Sequence, residues 1–122
     1  MDFSEANLRG ANLAGTDLTG ANLTGANLTG AILIGATLDQ ANLTDAILRN
    51  VIAQHAHVKG TLFSQTNCRG GQFGGVKFTQ AQLKDVDFRN ADLLSAVILP
   101  EQMLVCRFNN TLMPDGEIFF SS

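Results

Sequence analysis

An apolar residue returns at every fifth position from Phe3 to Ile98, and no insertion breaks the register. The series reads Phe3, Leu8, Leu13, Leu18, Leu23, Leu28, Leu33, Leu38, Leu43, Leu48, Ala53, Val58, Phe63, Cys68, Phe73, Phe78, Leu83, Phe88, Leu93, Ile98. Its Leu, Phe and Ile members from Leu8 onward are the expected core. Two positions before each stands something smaller: Ala6, Ala11, Thr16 and Ala21 early on, Val51, Thr61, Gly71 and Val76 later. A helix does not fit this period, because five residues advance about 500° and scatter the leucines around the axis. A flat strand does not fit either, because an odd step flips the side chain to the other face. A short extended segment followed by a bend does fit. The small residue and the Leu or Phe point inward together, their neighbours point outward, and the fifth residue turns the corner. Gly10, Gly15, Gly20, Gly25, Gly30 and Gly35 stand there, and glycine tolerates the backbone angles of a tight bend.

A chain that bends the same way every five residues becomes a coil. One coil cannot bury its own leucines, whereas stacked coils build a continuous core and pair their backbones. The 122 residues fit one domain. The period alone leaves the number of sides open.

The units ANLRG, ANLAG, TDLTG, ANLTG and ADLLS resemble those of pentapeptide-repeat proteins, whose pattern is A(D/N)LXX, over 20 consecutive units in residues 1–100. The resemblance implies an all-β fold, a right-handed quadrilateral β-helix with four units per coil and about five coils. Residue n then lies beneath residue n+20, about 4.8 Å away. Residues 1–100 are the expected solenoid and 101–122 a C-terminal cap. Pro100 suits the start of a short helical turn. Cys106 and Phe108 keep the five-step into a partial sixth coil, and MPDGEIFF reads as a turn followed by an apolar strand. Such a cap covers the last coil and blunts an edge open to pairing. The repeat begins at residue 1 with no comparable cap, which places Phe3 in a terminal coil.

Three places depart from the pattern. VIAQH, residues 51–55, swaps sizes: Val51 takes the small position and Ala53 the large one. The fourth coil carries Phe63, Phe73 and Phe78, with Cys68 on the remaining side, where a fourth ring would overfill the section. His55 falls on a corner and His57 points outward. Two imidazoles are too few for a metal site, so no metal and no cofactor is expected.

The coil geometry also sorts the surface. Arg9, Thr29, Arg49, Arg69 and Arg89 form one column at spacing 20. Neighbouring guanidiniums about 4.8 Å apart in water repel by only about 0.9 kcal/mol, and Asp45, Asp85 and Asp87 lie close in sequence to offset that. Arg9, Arg49, Arg69 and Arg89 are therefore a candidate anion stripe on a face that solvent alone also satisfies. On the next side Ile32 and Ile34 flank inward Leu33, and Ile52 stacks on Ile32. These three form a candidate contact patch among outward positions that are mostly polar.

Function is less constrained. The net charge is −3, too mild to argue by itself for a nucleic-acid partner. Cys68 and Cys106, 38 residues apart, match no metal spacing and no disulfide framework, which reads as reduced thiols in a cytoplasm. The N-terminus has no secretory pattern, and no apolar run approaches the roughly 20 residues of a membrane span. No nucleophile–base pair or phosphate-binding loop stands out, so no catalytic residue is assigned and a non-enzyme is expected. The leading expectation is a structural or protein-interaction module of a family abundant in bacteria, meeting an unknown protein or weakly associating with itself. Some pentapeptide-repeat proteins protect DNA gyrase by imitating duplex DNA with a long acidic rod. This chain departs from that picture in its length, charge and arginines. Anion or nucleic-acid binding by the arginine column is the remaining alternative.

Overall fold

The computed structural model describes residues 1–121. Four backbone hydrogen bonds tie a typical interior five-residue unit into its surroundings, and the unit around Leu28 shows the scheme. The Asn27 N–H donates to the Ala6 carbonyl at 2.9 Å, the Leu28 N–H to Ile47 at 2.7 Å, and the Gly30 N–H to Arg49 at 2.9 Å. The Ala31 N–H closes the corner onto the Leu28 carbonyl at 2.9 Å. The partners across coils are residues n and n+20. Parallel bridges run Asp2–Asn22–Asn42–Leu62–Gln82 on one side and Asn12–Ile32–Ile52–Gln72–Asp92–Leu112 on another. Twenty residues thus complete a turn of four sides. Each side contributes a single bridge rather than a strand, because the next corner arrives five residues later.

The corners explain the fifth position. From Glu5 to Ser95 every fifth residue except Gln80 is left-handed, with φ between 56° and 72°. A Cβ on Gly30 would meet nothing within 4 Å, so glycine serves the backbone there. Gly71 occupies a small inward position instead, and a Cβ on it would lie 2.5 Å from the Phe73 ring. Its role is to make room for that ring.

The second position is explained by the turn. Asn or Asp fills it at residues 2, 7, 12, 17, 22, 27, 42, 67, 87 and 92. In all of these units the side-chain oxygen accepts a hydrogen bond from the N–H two residues on, at 2.9–3.3 Å. This Asx turn fixes the approach to the corner with the residue's own side chain. At Asp17 the Thr19 hydroxyl and then the Thr19 N–H hold the carboxyl below its usual range.

Inside, the leucines from Leu18 to Leu48 are buried, followed by Phe63, Phe73, Phe78, Leu83, Phe88, Leu93 and Ile98. Phe3, Leu8 and Leu13, in the first coil, are only half-buried. Val51 and Ala53 are both buried, so the exchanged sizes share one interior. Cys68 leaves room that the ring above it uses: Phe88 packs edge-on against Phe73 and Phe78, with centroids 5.7 and 5.6 Å apart. Threonines in the small position bond inward. Thr61 donates to the Leu38 carbonyl at 2.7 Å and Thr111 to Phe88 at 2.8 Å, and the Cys106 thiol does the same to Leu83 at 3.4 Å.

The register continues past residue 100 through bridges Asp87–Arg107 and Asp92–Leu112. One side is replaced by helix α1, Pro100–Met103. Its Gln102 amide donates to the Phe78 and Ala81 carbonyls at 2.8 and 3.0 Å, serving groups that a further coil would otherwise meet. Strands β1, Thr111–Leu112, and β2, Ile118–Phe119, close an antiparallel hairpin over this end. Ser122, the last residue of the expected cap, lies outside the described residues.

One step between coils is open. The scheme calls for Val58 N–H to meet the Lys77 carbonyl and Lys77 N–H to meet Ala56. Neither bond forms, and the Gly60 N–H reaches Gln80 rather than Thr79. Two local features accompany the gap. His57 and Lys77 stand where Asn or Asp would lock the turn, and Gln80 departs from the left-handed corner.

Candidate functional site

A filled interior leaves only the outer surface for function. The arginine column forms on the side holding residues 6–10, 26–30, 46–50, 66–70 and 86–90. Arg9 and Arg49 are exposed, and Arg69 and Arg89 are half-buried. Arg89 is already engaged. Its Nε and Nη2 donate to the two carboxylate oxygens of Asp87 at 2.9 and 2.8 Å, the one ion pair among the described residues. Burial raises the Asp87 carboxyl, but the Arg89 hydrogen bonds and the charges of Arg89 and Arg69 outweigh it and hold the group below its ordinary value. Neither Asp45 nor Asp85 pairs with the column. The stripe available to an anion is therefore Arg9, Arg49 and Arg69.

The isoleucines come together as the spacing implied, with Ile32 and Ile52 as bridge partners. Their exposure differs, however. Only Ile34 is exposed, at 44%, while Ile32 and Ile52 are half-buried. Leu94, on the same side, is exposed but separated from Ile34 by Gln54 and Gly74 in that column.

More exposed apolar side chains lie in the C-terminal segment, where sequence reasoning placed only a cover. Leu104 is 85% exposed and Phe120 66%, and Val105, Ile118 and Phe119 are exposed as well. The inner face of this segment does cover the core: Phe108 stacks on Phe88 and meets Phe119 edge-on at 6.2 Å. The segment also carries a depression of 320 Å³ lined by Met103, Met113, Pro114, Ile118 and Phe119 together with Asp115 and Glu117. The signal for this surface was present in IFF, three apolar residues in succession. On a two-residue strand they cannot all face inward.

The remaining chemistry is sparse. Burial, followed by the charges of Cys106 and Asp87, pushes the Cys68 thiol well up. Burial and then the charge of Asp85 push Cys106 up to about 12, against a weaker lowering by the Val86 backbone. Neither thiol is thereby primed as a nucleophile. No group of three His, Cys, Asp or Glu suited to a metal ion occurs among the described residues. No helix among them is long and apolar enough to cross a membrane.

Comparison with known proteins agrees with the coil geometry. The profile for pentapeptide repeats matches in 8 copies, over residues 2–40, 33–65 and 59–94. No curated protein matches the sequence. Among solved structures, the chain is similar to HetL, a pentapeptide repeat protein of Nostoc sp. strain PCC 7120 involved in heterocyst differentiation regulation. Identity is 25% and the TM-score 0.41, over 97% of this chain and 66% of HetL. It is also similar to the pentapeptide repeat protein alr5209 of Nostoc, at 26% identity and TM-score 0.47, over 88% and 84% of the two chains. A trypsin-treated form of QnrB1, a plasmid-mediated fluoroquinolone resistance protein, matches at 22% identity and TM-score 0.53, over 89% of this chain and 58% of that one. The chain thus spans less than two thirds of both HetL and QnrB1, and the likeness to QnrB1 is one of fold.

Proposed function

The chain belongs to the pentapeptide-repeat family, whose fold is a right-handed quadrilateral β-helix, and from that premise we propose that it is a non-enzymatic structural or protein-interaction module. Its contact surface is the outer face of the C-terminal end. One observation carries this reading: Leu104, Val105, Ile118, Phe119 and Phe120 are all exposed within the C-terminal segment of a molecule whose other outward positions are mostly polar. Contiguous exposed apolar surface marks contact sites in soluble proteins, and Phe and Leu carry most of their binding value through burial.

The partner argued for is a second copy of this chain. A two-fold pairing brings the same patch from both sides. Burying one such side chain completely is worth roughly 1.5–3 kcal/mol. These side chains are about half exposed at the start, so ten of them supply about 7–15 kcal/mol. Association itself costs roughly 4–15 kcal/mol, which leaves a reversible, concentration-dependent contact.

Hydrogen exchange at increasing protein concentration tests the location. Amides of residues 104–120 should become more protected as concentration rises. Exchange independent of concentration removes the reading, and protection centred on Ile34 instead moves the contact to that side.

The gyrase-mimic alternative finds little support in the surface. Eight basic residues against 11 acidic ones, with a free run of Arg9, Arg49 and Arg69 on one side, do not make a uniformly negative rod.

A further inference from the structure

The open step between residues 56–60 and 76–80 lies under a cleft of 520 Å³. Lys59, Lys77, His55, His57 and Gln80 line it, and Asp39 is the one carboxylate in the lining. With the histidines neutral, two lysines and one aspartate give this cleft a formal charge of +1 on a chain of net −3. Asp39 is also partly spent, since its Oδ1 accepts the Lys59 N–H at 2.9 Å. The His55 ring lies over the corner of the coil above, where Gly75 leaves the space: a Cβ there would be 2.6 Å from the ring.

The backbone adds its own recognition groups. In the scheme that holds elsewhere, the N–H of Val58 points toward the coil above and that of Lys77 toward the coil below. Here both lack a backbone partner, and so do the carbonyls of Ala56 and Lys77, which they would have met. Ala56 and Val58 are buried residues and Lys77 is exposed, and a backbone group in a buried stretch is normally paired. Two donors beside two ammonium groups suit an anion with several acceptor oxygens. Two carbonyls in the same gap suit a hydroxyl on that same ligand. The cleft volume lies within the range of small-molecule sites.

We propose that this cleft binds a small phosphate-bearing molecule, with Lys59 and Lys77 on the phosphate oxygens and the freed Val58 and Lys77 N–H groups beneath it. A phosphate carries close to two charges at neutral pH and three strong acceptor oxygens, and lysine meets it as a point charge. Free inorganic phosphate and a phosphate monoester share that chemistry, and the monoester adds the hydroxyls that the two carbonyls and Asp39 accept.

The test is a titration of the full chain followed by amide NMR, with inorganic phosphate, glycerol 3-phosphate and glycerol as separate probes at constant ionic strength. Wild type should show saturable shifts centred on Val58 and Lys77 with one or both phosphate probes and none with glycerol. The probe with the lower Kd identifies the source. Lys59→Gln with Lys77→Gln should weaken binding by about tenfold or more, the loss of one good charged contact or its equivalent. Arg49→Gln, on the opposite side of the coil, should change nothing. The proposal is overturned by the absence of saturable binding, by equal binding of the lysine variant, by shifts centred on the arginine column, or by glycerol binding as well as its phosphate.

Discussion

Phe88 and Phe108 lie face to face, with ring centroids 5.9 Å apart and planes 7° apart. They are 20 residues apart, so the register of the repeat passes straight through residue 100 and ties the C-terminal segment to the solenoid. We predict that Phe108→Ala lowers stability by about 2–4 kcal/mol, somewhat below the figure for a fully buried ring because Phe108 is half-buried. Urea denaturation measures it. An unchanged midpoint would mean that the segment rests on the last coil without supporting it.

The Asx turn predicts a specific, modest loss at Asn27, whose Oδ1 accepts both the Thr29 N–H at 3.0 Å and the Thr29 hydroxyl at 2.7 Å. Asn27→Ala should cost about 1 kcal/mol, the usual worth of a side-chain cap on a backbone N–H. Asn27→Asp should retain most of it, because the carboxylate accepts in the same place. Equal losses for the two variants, read by thermal unfolding, would contradict the role.

Gly30 isolates the cost of the corner. Its φ is 70° and a Cβ would touch nothing, so Gly30→Ala changes the backbone energy alone. We expect a loss of roughly 1–2 kcal/mol, and a smaller one for Gly30→Asn, which tolerates this region better. A neutral Gly30→Ala would show that the corner is free to adopt another conformation.

Much of this was legible in the sequence, for identifiable reasons. The inward ladder was readable because Leu and Phe recur without insertion, and the size of Cys68 among Phe63, Phe73 and Phe78 foretold its place. The Asx turn was equally present in the recurring Asn and Asp, but an outward polar residue gives no sign by itself that its oxygen turns back onto its own backbone. The unequal exposure of Ile32 and Ile34 was not legible, since both flank Leu33 and differ only in which of them approaches the corner. The opening between His57 and Lys77 depends on the missing bonds of two units 20 residues apart and on the corner at Gln80. No pattern within one unit carries that.

The thiols predict a direction with pH. Both are raised above the ordinary cysteine value of 9.0, Cys106 to about 12. Each therefore keeps its proton in the folded protein at pH values where the unfolded chain has lost it. The stability held in this way is complete below about pH 9 and falls as pH rises toward the folded values. Alkylation by iodoacetamide at pH 8 should be slow in the native state, with Cys106 modified before fully buried Cys68. Rapid modification of Cys68 under native conditions would contradict the packing described for it.

Sedimentation equilibrium over a concentration series tests the proposed contact most directly. The wild type should show an average mass that climbs from monomer toward dimer with concentration. Leu104→Asp with Phe120→Asp should remain monomeric and keep the wild-type melting temperature, because both side chains face solvent in the monomer. A wild type that stays monomeric at the highest concentration, or a double variant that associates equally well, would contradict the assignment of the C-terminal end as the surface through which this protein meets its partner.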